Sequence, residues 1–472
     1  MTAPLPRMED QGTADVLLAE AQALLPQVDP KTPTEFVPQL FGQTVPEDLA
    51  HYAPEDLALF ASRAYAFLHD REPGHAKVRC APVSLPNSPE RGRTTVLEAV
   101  NDDMPFLLDS MLGELAERRL TVTLVAHPVL RVAREGGRLI GLNGQGARES
   151  FIHLHIERAR EEAERAALAA GIEKVLTEVR RTVADWRPML ARVNAIMSEL
   201  KSSPPPLAVE EIAEAIEFLQ WLLADNFTFL GMRDYAFENE VLVPDFDTAF
   251  GVMRARELKV LRRGEHLMDY TPEIMAFLKE PRPLIVAKAN IRSRVHRRVY
   301  LDYVGIKRFD AAGHLVGEQR IVGLFTSTAY TRTAHTIPYL RRKIAAVAQR
   351  AGFDAASHSG KALANVLEHY PRDELFQLDE DTLYRNAIAI LQLGERPRVR
   401  VLARRDRFDR FVSVLVYVPR DRFESAVRAR IGNYLASASA SPSVQVRTMA
   451  ETSRSSVACC TCGVGPPARP MM

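Results

Sequence analysis

The sequence predicts an α+β protein: tandem ferredoxin-like and mixed α+β modules with helical linkers and a disordered C-terminal tail. Three observations carry this. Between residues 94 and 201, hydrophobic periodicity gives the order strand–helix–strand–strand–helix. Ser202-Ser203-Pro204-Pro205-Pro206 then stops all periodicity, as a linker does. Between 283 and 330, alternating runs split by Ala312-Gly313-His314 read as an antiparallel meander.

Residues 1–70 read as a helical lead-in, because 18–28 and 57–70 carry apolar residues at helical spacing. The first module spans 71–201. It holds a strand from about His75–Pro82, a strand 94–100, a helix 104–118 and a strand 120–133. A Gly136-Gly137 turn, a strand 150–157 and a charged helical stretch from 158 to about 201 follow. Leu108, Met111, Leu112 and Leu115 give the helix one apolar face. Asp102 or Asp103 is expected to cap it, with Pro105 in the first turn.

The middle module spans 207–394. A helix 208–224 precedes two short strands in FTFLGMRDYAFENEVLV, then the meander, then helices 336–351, 360–369 and 379–393. This mixture reads as PAS-like. A third module, 396–436, offers strands 398–405 and 411–418 and a helix 421–436 capped by Asp421. It lacks the further strands and helix of a full ferredoxin-like sandwich. From Ser437 to Met472 periodicity vanishes, serine and alanine rise, and Cys459, Cys460 and Cys462 cluster. The expectation is a disordered tail, read in a shifted frame.

At 472 residues the chain suggests about three domains. Lys plus Arg is 61 against 60 for Asp plus Glu, a net charge of +1. That balance argues against a nucleic-acid binder. No apolar run reaches the roughly 18 residues of a membrane span. The single cysteine in the body, Cys80, fits a reducing compartment, so the cytoplasm is expected.

Chemistry is sought at few places. Gly463-Val-Gly-Pro-Pro-Ala468 has the letters of a dinucleotide loop, but two prolines cannot open the helix it needs. Gly144-Gln145-Gly146 lacks the last small residue and reads as a turn. No cofactor and no catalytic residue are therefore assigned to this chain. Asn101-Asp102-Asp103 sits at a strand-to-helix junction. Helix N–H groups there suit a carboxylate and the acidic side chains suit an ammonium, so the three are candidate effector-binding residues; capping is the plainer role. His153 and His155 share a strand face, but no further ligands stand at suitable spacing, so no metal is assigned. Cys459-x-x-Cys462 has no second pair. In the basic run 292–298, alternation puts Arg292, Arg294 and His296 on one strand face, which could bind a nucleotide or phosphate, though a solvated strand or subunit contact is the plainer role. Phe227, Phe229 and Tyr235 read as core, and helix 157–181 as a solvated, salt-bridged face.

NDDMPFLLDS (101–110), RESFIHLHIER (148–158), FLQWLLADNFTFLGMRDY (218–235), RRVYLDYVGIKRFD (297–310) and the segment 398–423 resemble the N-terminal region of the large bacterial NAD-specific glutamate dehydrogenases. The resemblance covers about 15–436 and stops inside the third module. It implies ACT-like modules, which commonly sense amino acids, ahead of a catalytic domain. It further implies a homo-oligomer, NAD in the intact enzyme, an amino-acid effector and other subunits as partners. Glutamate would be deaminated to 2-oxoglutarate and ammonia, but not by this chain alone. A stand-alone amino-acid-binding regulator and a remnant of a disrupted gene are the alternative readings.

Overall fold

The computed structural model describes residues 8–88, 93–142, 144, 146–157, 159, 161–258, 260, 272–408, 411–438, 444–449 and 455–463. They divide into two units, Met1–Ala184 with Ser293–Val299, and Asp185–Arg292 with Tyr300–Met472.

The first unit opens with helices α1 (Met8–Val28), α2 (Phe36–Phe41), α3 (Pro46–Leu49) and α4 (Pro54–Leu68). Pro46 and Pro54 stand in first turns, where a missing N–H costs nothing. Strands β1 (Lys77–Ser84) and β2 (Arg93–Asp102) lead into α5 (Leu107–Glu117). Then come β3 (Val122–Ala126), β4 (Val129–Glu135), β5 (Arg138–Gly141), β6 (Ala147–Ile156) and α6 (Glu162–Ala184). The sheet order is β1-β2-β6-β4-β5, all antiparallel, with β3 also on β6. The single strand expected over 120–133 is thus two, laid end to end along one edge of β6. Pro128 stands at the break and has no N–H for the ladder. Gly136 and Gly137 close the β4–β5 hairpin at φ of 57° and 87°.

Both faces of this sheet are buried. Val96, Val100 and Phe151 share one apolar cluster with Leu25, Phe36 and Phe60 of the leading helices. Leu97, Ile152 and Leu154 alternate to the other face and are equally buried. Helix α6 runs along β1 and packs on α5. The lead-in expected at 1–70 therefore forms one layer of the first unit.

The second unit begins with α7 (Trp186–Ser202) and α8 (Val209–Trp221). The boundary falls at Asp185, not at the Ser202–Pro206 linker. There the long charged helix breaks, because the Asp185 carboxylate accepts from the Gly251 N–H at 2.7 Å and from Arg254. Next come β7 (Phe227–Glu238), β8 (Val241–Gly251), α9 (Pro272–Lys279), β9 (Leu284–Arg292), β10 (Tyr300–Phe309) and β11 (Leu315–Phe325). Their order is β8-β7-β11-β10-β9, with the expected meander in β9–β11. Helices α10 (Ser327–Thr331), α11 (Leu340–Ala351), α12 (His358–His369), α13 (Arg372–Gln377) and α14 (Glu380–Glu395) complete it. Phe218, Phe229, Ile321, Leu340 and Leu383 lie in its one large apolar cluster.

The last sheet holds β12 (Arg400–Arg405), β13 (Phe411–Pro419), β14 (Val444–Met449) and β15 (Ser455–Gly463), with α15 (Ser425–Ala438) between β13 and β14. The order is β12-β13-β15-β14. This corrects two expectations. The third module does not stop at 436, and the supposed disordered tail supplies two strands. Serine, alanine and cysteine masked the pattern, yet VQVRTM and SSVACCTCG contain enough Val and Thr to extend. The rest of that tail lies outside the described residues. On β13, Leu415 and Tyr417 join the large cluster, while Val414, Val416 and Val418 face Ile431 and Leu435 of α15. No described helix is long and apolar enough to cross a membrane.

Candidate effector site at the end of the second strand

Asn101, Asp102 and Asp103 lie together where β2 runs out before α5. In register, Asn101 faces Ser150 and Asp102 faces Glu149. None of the three caps the helix. The position before its first turn is Phe106, at φ 73°, and no side chain caps it. The helix starts at Leu107 rather than 104, because Phe106, at φ 73°, stands outside right-handed helical geometry.

Their partners are arginines. Asp102 accepts from Arg71 at 2.6 Å and from Arg180, which also donates to Asn101 Oδ1. Arg71 is 1% exposed and also pairs with Glu149 at 2.8 Å. Glu149 takes two further bonds from Arg134, at 2.8 and 2.9 Å. Asp103 accepts from the Ser150 hydroxyl at 2.9 Å and pairs with the exposed Arg148 at 2.8 Å. Burial alone would raise the Asp102 carboxyl, but hydrogen bonds from Arg71 and Arg180 outweigh it and hold it below its ordinary range.

A ligand ammonium would therefore meet carboxylates already committed, of which Asp103 has the most yielding partner. Uncapped backbone donors of α5 begin four residues on. Arg71 also lines an open cleft of about 630 Å³, with Asp70, Glu72, His75, Lys77 and Gly137. Arg71, Arg134 and Arg180 were not legible as site residues: they lie up to 78 positions from the carboxylates they hold, and only the tertiary fold joins them.

His153 and His155 do share a face of β6, turned to the leading helices. Their Nε2 atoms are 2.8 Å apart, His153 Nδ1 lies 3.1 Å from Glu98, and His155 Nδ1 lies 2.7 Å from the Tyr52 hydroxyl. Arg79 pairs with Glu98 in turn. One consistent assignment runs in a single direction: Tyr52 donates to His155, His155 to His153, and His153 to Glu98. With neutral imidazoles this chain satisfies both rings in the core. Burial pushes the half-buried Cys80 thiol up to about 11.

The basic run does not form one strand face. Arg292 ends β9 and 293–299 is a loop, in which His296 adopts φ 65°. Within the first unit, Arg294 pairs with Glu178 at 3.0 Å, Arg298 with Glu114, and His296 with Asp109 at 3.1 Å. Phe227, Phe229 and Tyr235 are buried as expected. Of the glycine motifs, Gln145 and residues 464–468 lie outside the described residues.

Comparison with known proteins places this geometry. Residues 36–172 match the family model "Glutamate dehydrogenase, ACT1 domain", 337–396 match "Glutamate dehydrogenase, helical motif 1", and 400–464 match "Glutamate dehydrogenase, ACT2 domain". The last runs through β14 and β15, so the resemblance continues past 436 and the shifted-frame expectation fails over those strands. The NAD-specific glutamate dehydrogenase of Halomonas elongata is 37% identical over 392 residues, 78% of this chain and 24% of that protein. Its counterpart in Pseudomonas aeruginosa is 38% identical over 352 residues, 72% of this chain and 22% of that protein. That of Mycobacterium tuberculosis is 26% identical over 347 residues. The chain spans about a quarter of the length of the curated relatives it matches.

Proposed function

Because the chain matches the N-terminal region of the large NAD-specific glutamate dehydrogenases, we propose that it is the regulatory and assembly part of such an enzyme. The intact cytoplasmic enzyme oxidises L-glutamate to 2-oxoglutarate and ammonia and passes the hydride to NAD. This chain contributes sensing and subunit contacts, and alone does not turn over glutamate.

The observation that carries the reading is that two ACT matches fall on two antiparallel sheets, each backed by helices, with the helical motif between them. ACT modules commonly bind amino acids. The middle sheet supports the PAS-like reading, since its strands run second, first, fifth, fourth, third. The effector site is the β2–α5 junction. A ligand carboxylate meets the uncapped first turn of α5, and its ammonium displaces Arg148 from Asp103. Coupling of the usual allosteric size, about 1–3 kcal/mol, would then reach the catalytic region.

Two measurements test this. The purified chain should give no glutamate-dependent NADH, and robust turnover would refute the division of labour. Calorimetric titration with amino acids should show binding that Asp103→Ala abolishes; unchanged affinity in that variant would remove the site.

A further inference from the structure

A basic cavity of about 30 Å³ lies in the second unit. Two buried lysines line it: Lys307 of β10, 2% exposed, and Lys343 of α11, 7% exposed. Lys307 Nζ donates to the Phe277 and Glu280 carbonyls, both at 3.0 Å, where α9 ends. Lys343 Nζ donates to the Leu375 carbonyl at 2.7 Å and the Phe376 carbonyl at 3.4 Å, near the end of α13. A charged ammonium has three donors, so in that form each lysine keeps one. Arg282 and Arg407 stand on the same wall, 56% and 32% exposed. Both look to one carboxylate, Glu280, at 4.0 and 3.7 Å, too far for hydrogen bonds.

Four basic side chains and one carboxylate thus line the cavity. Burial pushes Lys307 down to about 8, partly offset by Glu318 and Glu280, and pushes Lys343 to about 7, with repulsion from Arg407 and Arg282 adding to it. Capping of helix C-termini explains the two bonds each lysine makes. It explains neither Arg282 nor Gln377, which line the same cavity; Arg407 stands over the Phe277 ring at 4.7 Å. The Gln377 Nε2 donates to the Asp373 backbone carbonyl at 2.8 Å, leaving Oε1 buried without a partner. A water needs roughly 10–15 Å³, so the space takes two or three oxygens of a ligand whose remaining atoms stay outside it, beside the partly exposed Arg282 and Arg407.

We propose that this cavity binds a small oxyanion that carries one hydrogen-bond donor of its own, a hydrogen phosphate or a 2-hydroxy carboxylate. Arg282, Arg407 and the spare lysine donors take the anionic oxygens, and Gln377 Oε1 accepts the ligand's hydroxyl. The site stands whether or not the chain serves a dehydrogenase.

Calorimetry on the full chain, at constant ionic strength, uses inorganic phosphate, glycolate and sulfate. Binding of phosphate alone identifies a phosphoryl ligand, and binding of glycolate alone a hydroxy acid; either supports the site. Sulfate, which has no donor, should bind more weakly. The Arg282→Ala/Arg407→Ala variant changes partly exposed side chains, and its circular dichroism should match the parent. Its affinity should fall at least about tenfold. No binding of phosphate or glycolate at millimolar concentration, sulfate equal to the better ligand, or unchanged affinity in the double variant would each overturn the proposal.

Discussion

Replacing Arg71 by methionine tests whether the carboxylates at the end of β2 are held for structure. The guanidinium makes three contacts: the His75 carbonyl at 2.9 Å, Asp102 at 2.6 Å and Glu149 at 2.8 Å. Asp102 is 39% exposed and keeps Arg180, so its share is of surface size, about 1 kcal/mol or less. Glu149 is 4% exposed. Breaking a buried pair costs about 3–5 kcal/mol, and the remaining Arg134 puts this case at the low end. The expected loss is therefore about 3 kcal/mol for Arg71→Met and about 1 kcal/mol or less for Arg180→Met, which is more exposed. Because the chain has two units, one denaturation midpoint would mix them. Hydrogen exchange of β2 and β6 amides in increasing urea reads the first unit alone. The sign with pH also follows. Asp102 is depressed, so its ionised form stabilises the fold above the ordinary carboxyl value, and that contribution is lost as pH falls through the lower folded value. Arg71→Met removes part of the depression, so acid unfolding should begin at higher pH. Equal losses for the two variants, or none for Arg71→Met, would refute the reasoning.

Two further outcomes follow. Gly251 sits at φ 56°, and an added Cβ would lie 2.1 Å from the Leu230 carbonyl oxygen, so Gly251→Ala should destabilise the β7–β8 pair by about 2–4 kcal/mol; unchanged exchange protection there would count against this backbone path. Cys80, with its thiol at about 11, should stay unlabelled by iodoacetamide at pH 8 in the folded chain and react in denaturant, read by peptide mass spectrometry; fast labelling of the folded chain would contradict its burial.

Much of the fold was legible because its periods are long. β2, α5, β6 and the β9–β11 meander keep one face apolar over several turns or alternations, and each appears within a few residues of its expected place. The site was half legible. Asn101, Asp102 and Asp103 do cluster, but Asp and Asn after a strand signal capping by type alone. What they contact depends on Arg71 and Arg180, far off in the chain. The break at Asp185 was equally hidden, since its cause is the Gly251 amide and Arg254. β14 and β15 were missed for another reason: a short strand rich in Ser, Ala and Cys has little amplitude at period two.

The order β12-β13-β15-β14 has a consequence for synthesis. β15 emerges last of the four, yet it fills the slot between β13 and β14. From the end of β13 until Ser455 appears, the ribosome adds some 35 residues, about 2–7 s of translation at ~5–20 residues per second. Throughout that interval β13 presents a bare edge of N–H and C=O groups beside Val414, Val416 and Val418. Two nascent copies on one message can pair there before either finishes, so the last strand to arrive decides whether this sheet closes on itself or on a neighbour.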